Sequence, residues 1–294
     1  MFIQLLANGL VTGSVIALAA AGVSIVYGIL RLVNFAYGDY MTFGAFTAIY
    51  FNVTLELPIV TAAILAMLAT AVLSVALELV LWKPVRARDA GFMSLFLVSI
   101  GLALVLRHVI YLVAGPQPRT YTVDPYKVYV IGSARLSGAQ GIAIVVASIG
   151  ILMLGVLIAK TGVGRMMRAL ADDLPLAAVS GVRTGRVILA AWIVSGLLAG
   201  LAGVLAGLVQ TSFNPQLGFT LLLPIFAAVV LGGIGSVYGA LVGGLALGLA
   251  MELSTWPELG GGVNPTYKPV VAFAALIVVL LLRPQGLFGK ARVV

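Results

Sequence analysis

The chain has 294 residues, of which 62% are apolar and only 9% charged, against about 25% charged residues in a soluble domain. A soluble fold of this size cannot enclose that much apolar surface in one core, so a soluble enzyme, a disordered chain and a nucleic-acid-binding module are excluded and the solvent is lipid. The formal net charge of +8 then reads as Lys and Arg held on one side of a membrane, and zero cysteines with a single histidine, His108, exclude disulfides, iron–sulfur clusters, thiol catalysis and a histidine-based metal cluster.

A membrane-crossing helix needs about 20 apolar residues. The first candidate span, 5–29, lies in a stretch uncharged through residue 30. It reads as a retained membrane helix, since a cleavable signal peptide wants a basic start. The second, 33–52, contains Asn34 and Asp39, and an aspartate at a helix centre costs ~2.5–3.5 kcal/mol on insertion scales. Two readings stand. In one, Asn34, Gly38 and Asp39 form a broken helix beside a transport route. In the other, residues 31–39 make an interfacial turn with Asp39 paired to Arg31. The third span, 58–81, ends with Glu78, which pairs with Lys83 or Arg86. The fourth, 92–113, carries Arg107, read as snorkelling to water, and His108, read as buried and hydrogen-bonded. The loop 114–139, with Pro116, Pro118, Asp124, Pro125 and several tyrosines, is the largest external segment and is expected to be ordered.

The fifth and sixth spans are 140–160 and 188–210. The seventh (218–236) and eighth (237–254) are separated only by Leu231-Gly-Gly-Ile-Gly-Ser236, a tight turn or an unwound stretch at membrane depth. Gly232, Gly233 and Gly235 in this stretch join Asn34 and Gly38 as candidates for the transport pathway. Glu56 and Glu252 fall near external ends, where they reach water. The last span, 269–282, is short and begins nearer Pro265. The expected fold is an all-α polytopic membrane protein of about nine transmembrane helices, with eight to ten open, in a single domain, 1–294.

Basic clusters fix the orientation. Lys83, Arg86 and Arg88; Lys160, Arg165, Arg168, Arg183 and Arg186; and Arg283, Lys290 and Arg292 all fall on the cytoplasmic side. The N-terminus is then outside and the C-terminus inside. Glycines four apart, such as Gly9 and Gly13 or Gly196 and Gly200, mark close helix packing.

The loop 161–187 is too long for a simple turn. Asp172 or Asp173 caps a short helix with Pro175 in its first turn, and Gly181 ends it in the left-handed conformation. Ala177 and Ala178 give it a small-residue face, which suits either a partner's groove or a surface helix without a partner. The chain has no P-loop, no zinc spacing, no Gly-x-Ser-x-Gly elbow and no arginine array or channel filter. No cofactor is implied.

The whole chain resembles the permease subunits of bacterial ABC importers for branched-chain amino acids. Asn8-Gly9-Leu10, Gly13, Ala17-Leu18, Gly22, Asn34-Phe-Ala-Tyr-Gly38 and Gly44-Ala45 are similar to the family's opening pattern. Arg168, Asp172, Asp173, Ala177, Ala178 and Gly181 resemble its coupling segment, a relative of the EAA motif, with Pro175 about where the motif's glutamate falls. Leu231 to Ser236, Gly239-Ala240, Gly243-Gly244 and Arg283-Pro-Gln-Gly-Leu-Phe-Gly289 complete the pattern. The resemblance implies a bacterial cytoplasmic (inner) membrane protein that is not itself an enzyme. Its expected partners are a homologous second permease, two cytoplasmic ATPase subunits and an external substrate-binding protein. Alternatives are the same machine carrying urea or short amides, and a stand-alone secondary transporter or channel. The missing ion-binding constellation and the structured basic loop weigh against the latter.

Overall fold

The computed structural model describes residues 2–88, 90–123, 128–131, 134–257, 262–283 and 285–288. Asp124, Pro125, Lys290 and Arg292 lie outside them. The chain is an all-α polytopic membrane protein, and each of the nine expected spans falls on a helix. Among the described residues, six helices are long and apolar enough to cross a membrane, and two further apolar helices are shorter.

Helix α1 (Phe2–Leu30) ends at Arg31, whose φ of 52° turns the chain out of the helix. Residues 31–36 are not helical, so the second span begins as irregular backbone. Helix α2 (Tyr37–Ile49) follows and closes with a π-helical turn, Tyr50–Thr54. Helix α3 (Ile59–Leu77) continues through a second π-helical turn, Glu78–Trp82, into α4 (Lys83–Arg86). Helix α5 (Phe92–Ala114) leads to a hairpin, β1 (Val128–Ile131) paired antiparallel with β2 (Ala134–Ser137).

Ser137 then opens α6 (Gly138–Lys160) with a capping box to Gln140. The loop expected to hold one helix holds two, α7 (Gly162–Asp172) and α8 (Leu174–Val179). Helix α9 (Thr184–Gln210), α10 (Leu217–Gly232), α11 (Val237–Leu253) and α12 (Lys268–Leu282) complete the bundle. A 3-10 turn, Pro265–Tyr267, precedes α12, as the short ninth span required.

The core is built from α1, α2, α9 and α11, with α3 and α10 against it. Its helices touch through glycine. A Cβ on Gly248 of α11 would lie 2.2 Å from Cα of Gly13 on α1, so only the absent side chain permits this approach. Deeper in, Trp82 stacks on Trp192 with ring centroids 6.1 Å apart, and Ser74 Oγ donates to the Trp192 carbonyl at 2.9 Å. On the expected outer side, Arg119 and Phe213 form a two-way backbone bridge. Nearby, Tyr121 donates to the Ala45 carbonyl at 3.1 Å, and burial pushes its phenol above the ordinary tyrosine range.

Candidate functional site

The irregular segment 31–36 is where the sequence breaks the second span, and its residues Leu32, Asn34 and Ala36 are buried. Asn34 stabilises the break itself: its Oδ1 accepts the Ala36 N–H at 3.1 Å. Its Nδ2 has no hydrogen-bond partner among the described residues. This is buried backbone inside the bundle, the kind of irregularity a membrane protein tolerates only within protein or beside a cavity.

Just beyond the break, Gly38 at the start of α2 meets Gly218 at the start of α10. A Cβ on Gly218 would sit 1.7 Å from the Gly38 carbonyl oxygen. Thr42 fastens the crossing: its Oγ1 accepts the Gly218 N–H at 3.0 Å and donates to the Gly38 carbonyl at 3.2 Å.

Asp39 is fully buried in the first turn of α2, where an anion is favoured by the helix dipole. Its partner is not Arg31, which is exposed at the end of α1. Arg107 from α5 reaches it with two parallel bonds, Nε to Oδ1 at 3.0 Å and Nη2 to Oδ2 at 3.2 Å. The Phe219 ring covers the guanidinium at 4.1 Å. Arg107 therefore does not snorkel. Desolvation makes a lone charge at this depth so costly that pairing with Asp39 wins over reaching for water. Sequence reasoning missed Arg107 as a site residue. The available signal was complementarity, since α2 and α5 each carry one charge of opposite sign within their apolar runs.

Two other expectations change. His108 is exposed on the outer face of α5, although its Nδ1 does contact the Leu104 carbonyl at 2.8 Å. Glu252 is buried rather than in water, held by Lys268 Nζ at 2.6 Å and by Thr12 Oγ1 at 3.4 Å. Glu78 pairs with Arg86, one of its two expected partners.

The glycine-rich stretch is a tight turn between the antiparallel helices α10 and α11. Gly232 closes α10, and Gly233 and Gly235 adopt φ of 105° and 85°. Ser236 Oγ caps α11 by accepting the Gly239 N–H at 3.1 Å. The terminal segment folds back onto this turn, with Leu287 N–H donating to the Leu231 carbonyl at 2.8 Å and Phe288 N–H to Gly232 at 3.0 Å. The two glycine-bearing motifs are thus in contact. The turn lies at the end of α1, where a Cβ on Gly28 would be 3.3 Å from the Gly235 carbonyl. Both regions border α10, with Gly38 at its start and Gly232 at its end.

In the loop 161–187, Thr161 caps α7 by accepting the Gly164 N–H at 3.0 Å. Arg168 donates to the Ile158 carbonyl at the end of α6. Asp172 is the last residue of α7. Asp173 Oδ1 caps α8 by accepting the Leu176 N–H at 2.8 Å, with Pro175 in the first turn. Gly181, at φ 84°, ends α8: its N–H donates to Ala178 and the Val182 N–H to Ala177, the paired bonds of a glycine-terminated helix. Ala177 is buried against the chain's own helices, so it adds nothing to a partner-facing surface. Ala178, Leu176 and Val179 are exposed.

Residues 5–280 match the family described as branched-chain amino acid transport system, permease component. The high-affinity branched-chain amino acid transport system permease protein LivH of Escherichia coli K12 is 32% identical over 305 residues, covering 99% of this chain and 97% of that protein. The corresponding protein BraD of Pseudomonas aeruginosa is 32% identical over 308 residues, with the same coverage of 99% and 97%. Among solved structures, a chain of PsaBC from Streptococcus pneumoniae in complex with Fab shares the fold. Its TM-score is 0.50 at 13% identity, over 98% of this chain and 94% of that one.

Proposed function

The chain belongs to the family of permease components of branched-chain amino acid transport systems, and on that premise we propose that it is the membrane-spanning subunit of an ABC importer for branched-chain or other hydrophobic amino acids. The observation that carries this is the near full-length identity to LivH and BraD. The sequence has no P-loop, so ATP is bound and hydrolysed on two separate cytoplasmic ATPase subunits. A homologous second permease completes the membrane core, and an external binding protein delivers the substrate. The protein resides in a bacterial inner membrane with its N-terminus outside and its C-terminus in the cytoplasm.

The proposed route passes the broken second span at Asn34, Gly38 and Asp39. The turn at Gly232, Gly233 and Gly235 is proposed as its flexible inner end. Both carry irregular backbone in a membrane protein, which is found where helices unwind around a transported solute. The whole chain, 1–294, acts as one transmembrane domain, with 161–187 as its coupling loop. Arg168, Asp172, Asp173, Pro175, Ala177, Ala178 and Gly181 shape the loop, and the exposed face of α8 at Leu176, Ala178 and Val179 docks into an ATPase.

The test is uptake of labelled leucine by cells expressing the full complex, with and without ATP depletion, competed by isoleucine or urea. Uptake abolished by ATP depletion and competed by isoleucine alone is expected. Competition by urea alone would replace the substrate, and ATP-independent flux would replace the class. For orientation, Gln117→Cys is expected to react with an impermeant thiol reagent in intact cells, and Thr184→Cys only after the membrane is opened. Docking is tested separately. Ala178→Trp adds volume to a packed interface, at a cost of ~1–3 kcal/mol, and is expected to lower bound ATPase in the purified complex. Normal assembly and substrate-stimulated ATP turnover in that variant would remove α8 from coupling.

A further inference from the structure

The loop 161–187 contains a feature that ATPase docking does not use. Between α7 and the start of α9 lies a cavity of about 500 Å³. Its walls are Val163 and Met166 from α7, Val187 and Ala190 from α9, and its rim is the chain at 180–182. Arg183 and Arg186 also line it. Among the described residues, neither guanidinium has a hydrogen-bond or ion-pair partner. Arg183 is the N-cap of α9, and that helix has no side-chain cap and no acidic residue in its first turn. The dipole of α9 therefore adds to the two positive charges instead of being neutralised.

We propose that this cavity binds an anionic phospholipid of the adjoining leaflet, with the headgroup phosphate on Arg183 and Arg186 and the upper acyl chain against Val163, Met166, Val187 and Ala190. The placement selects lipid over protein. Arg183 and Arg186 are the last charges before the uncharged run 187–210 of α9, so the cavity straddles the boundary between water and hydrocarbon. One end is cationic and the other apolar, which matches an amphipathic anion. The exposed apolar residues of α8, Leu176 and Val179, do not line it, so a docked ATPase and a bound lipid occupy different surfaces. Basic pockets between helices at a membrane surface are a recurring way to hold anionic headgroups. The proposal needs only that the chain sits in a bilayer with this loop at one surface. It does not depend on the importer assignment.

The experiment is native mass spectrometry of the full chain extracted from its membrane, followed by titration with phosphatidylglycerol and, in parallel, phosphatidylcholine. Wild-type protein is expected to carry an anionic phospholipid and to prefer phosphatidylglycerol. At about fivefold in affinity per arginine near a membrane surface, the double variant Arg183→Gln, Arg186→Gln is expected to bind phosphatidylglycerol about 25-fold more weakly. The Lys pair at the same positions is expected to restore most of the binding. Arg88→Gln with Arg165→Gln removes the same charge from residues that do not line the cavity, and is expected to leave binding unchanged. Equal affinity for phosphatidylcholine would overturn the site, as would equal losses in the two glutamine pairs. Loss of ATPase association with lipid binding intact would also overturn it and assign the arginines to the partner protein.

Discussion

Helices α1 and α6 are both long, apolar and unbroken, yet they occupy opposite places in the molecule. In the most apolar 18-residue stretch of α1, 89% of residues are buried; in that of α6, 22% are. The more apolar helix is the more exposed one. In water this order would be perverse. In lipid it follows, because hydrocarbon solvates Leu and Ile as well as a protein core does, and helices associate through close packing instead. Helix α1 meets its neighbours with Gly9, Gly13, Ser14, Ala17, Ala19, Ala20 and Ala21, all buried. Helix α6 turns Val145, Ile149, Leu152, Met153 and Val156 outward.

The sharpest test of this contrast is to add side chain where the helices touch. Gly218→Leu would drive a Cβ to within 1.7 Å of the Gly38 carbonyl and 2.8 Å of Thr42 Oγ1. Neither backbone can retreat, since Thr42 bonds both helices. The loss is expected to exceed about 4 kcal/mol, the range reserved for severe core disruption. The measurement is the yield of monodisperse protein after extraction from the membrane. A Gly218→Leu chain that purifies and melts like the wild type would show that the inner helices are not locked by this crossing.

A second test concerns charge in the same inner region. Removing one partner of a buried ion pair leaves the other uncompensated, which typically costs 3–5 kcal/mol, whereas replacing both by apolar groups is often close to neutral. Asp39→Ala and Arg107→Leu are each expected to destabilise the purified protein by about that amount, and the double variant to recover most of it. Thermal unfolding of all four proteins gives the cycle. If the pair also lies on the transport route, the double variant will be stable yet slow in uptake. Normal uptake by a stable double variant would restrict Asp39 to a structural role.

The sequence carries the outline of this architecture more clearly than its interior. Nine apolar runs are visible because a bilayer sets a minimum length. The cap and stop of α8 are legible because Asp173, Pro175 and Gly181 act locally. Depth and partner are not local properties. The sequence places Asp39 and Arg107 in different spans without saying that they meet, so each reads as taking a local escape, Arg31 for one and water for the other. His108 illustrates the reverse error: a polar residue on an apolar helix suggests burial, but only the packing of α5, which rests chiefly on α2, decides which face is covered. Helix α7 is invisible to the length rule used to find spans: it has 11 residues, and its buried positions Gly164, Met167 and Leu170 pack against the chain's own helices α1, α6 and α9.

The smallest expected effect tests the outer half of the comparison. Gly155 on α6 has the same residue type as Gly13 and Gly248, but a Cβ placed on it meets nothing within 4 Å. If glycine content by itself marked packing, Gly155→Leu would disrupt the fold as Gly218→Leu does. If the partner surface decides, the new side chain simply joins the outward row of α6 and enters lipid. Its intrinsic helix preference then gives a gain of up to about 1 kcal/mol over glycine. The expected result is an unchanged or slightly raised unfolding temperature for the isolated chain, with normal yield. The same variant reports on assembly. Lower recovery of a partner subunit with an unaltered isolated chain would mean that the open face of α6 is covered by protein in the complex. Equal recovery would leave that face to the bilayer, as its row of large aliphatic side chains leads one to expect.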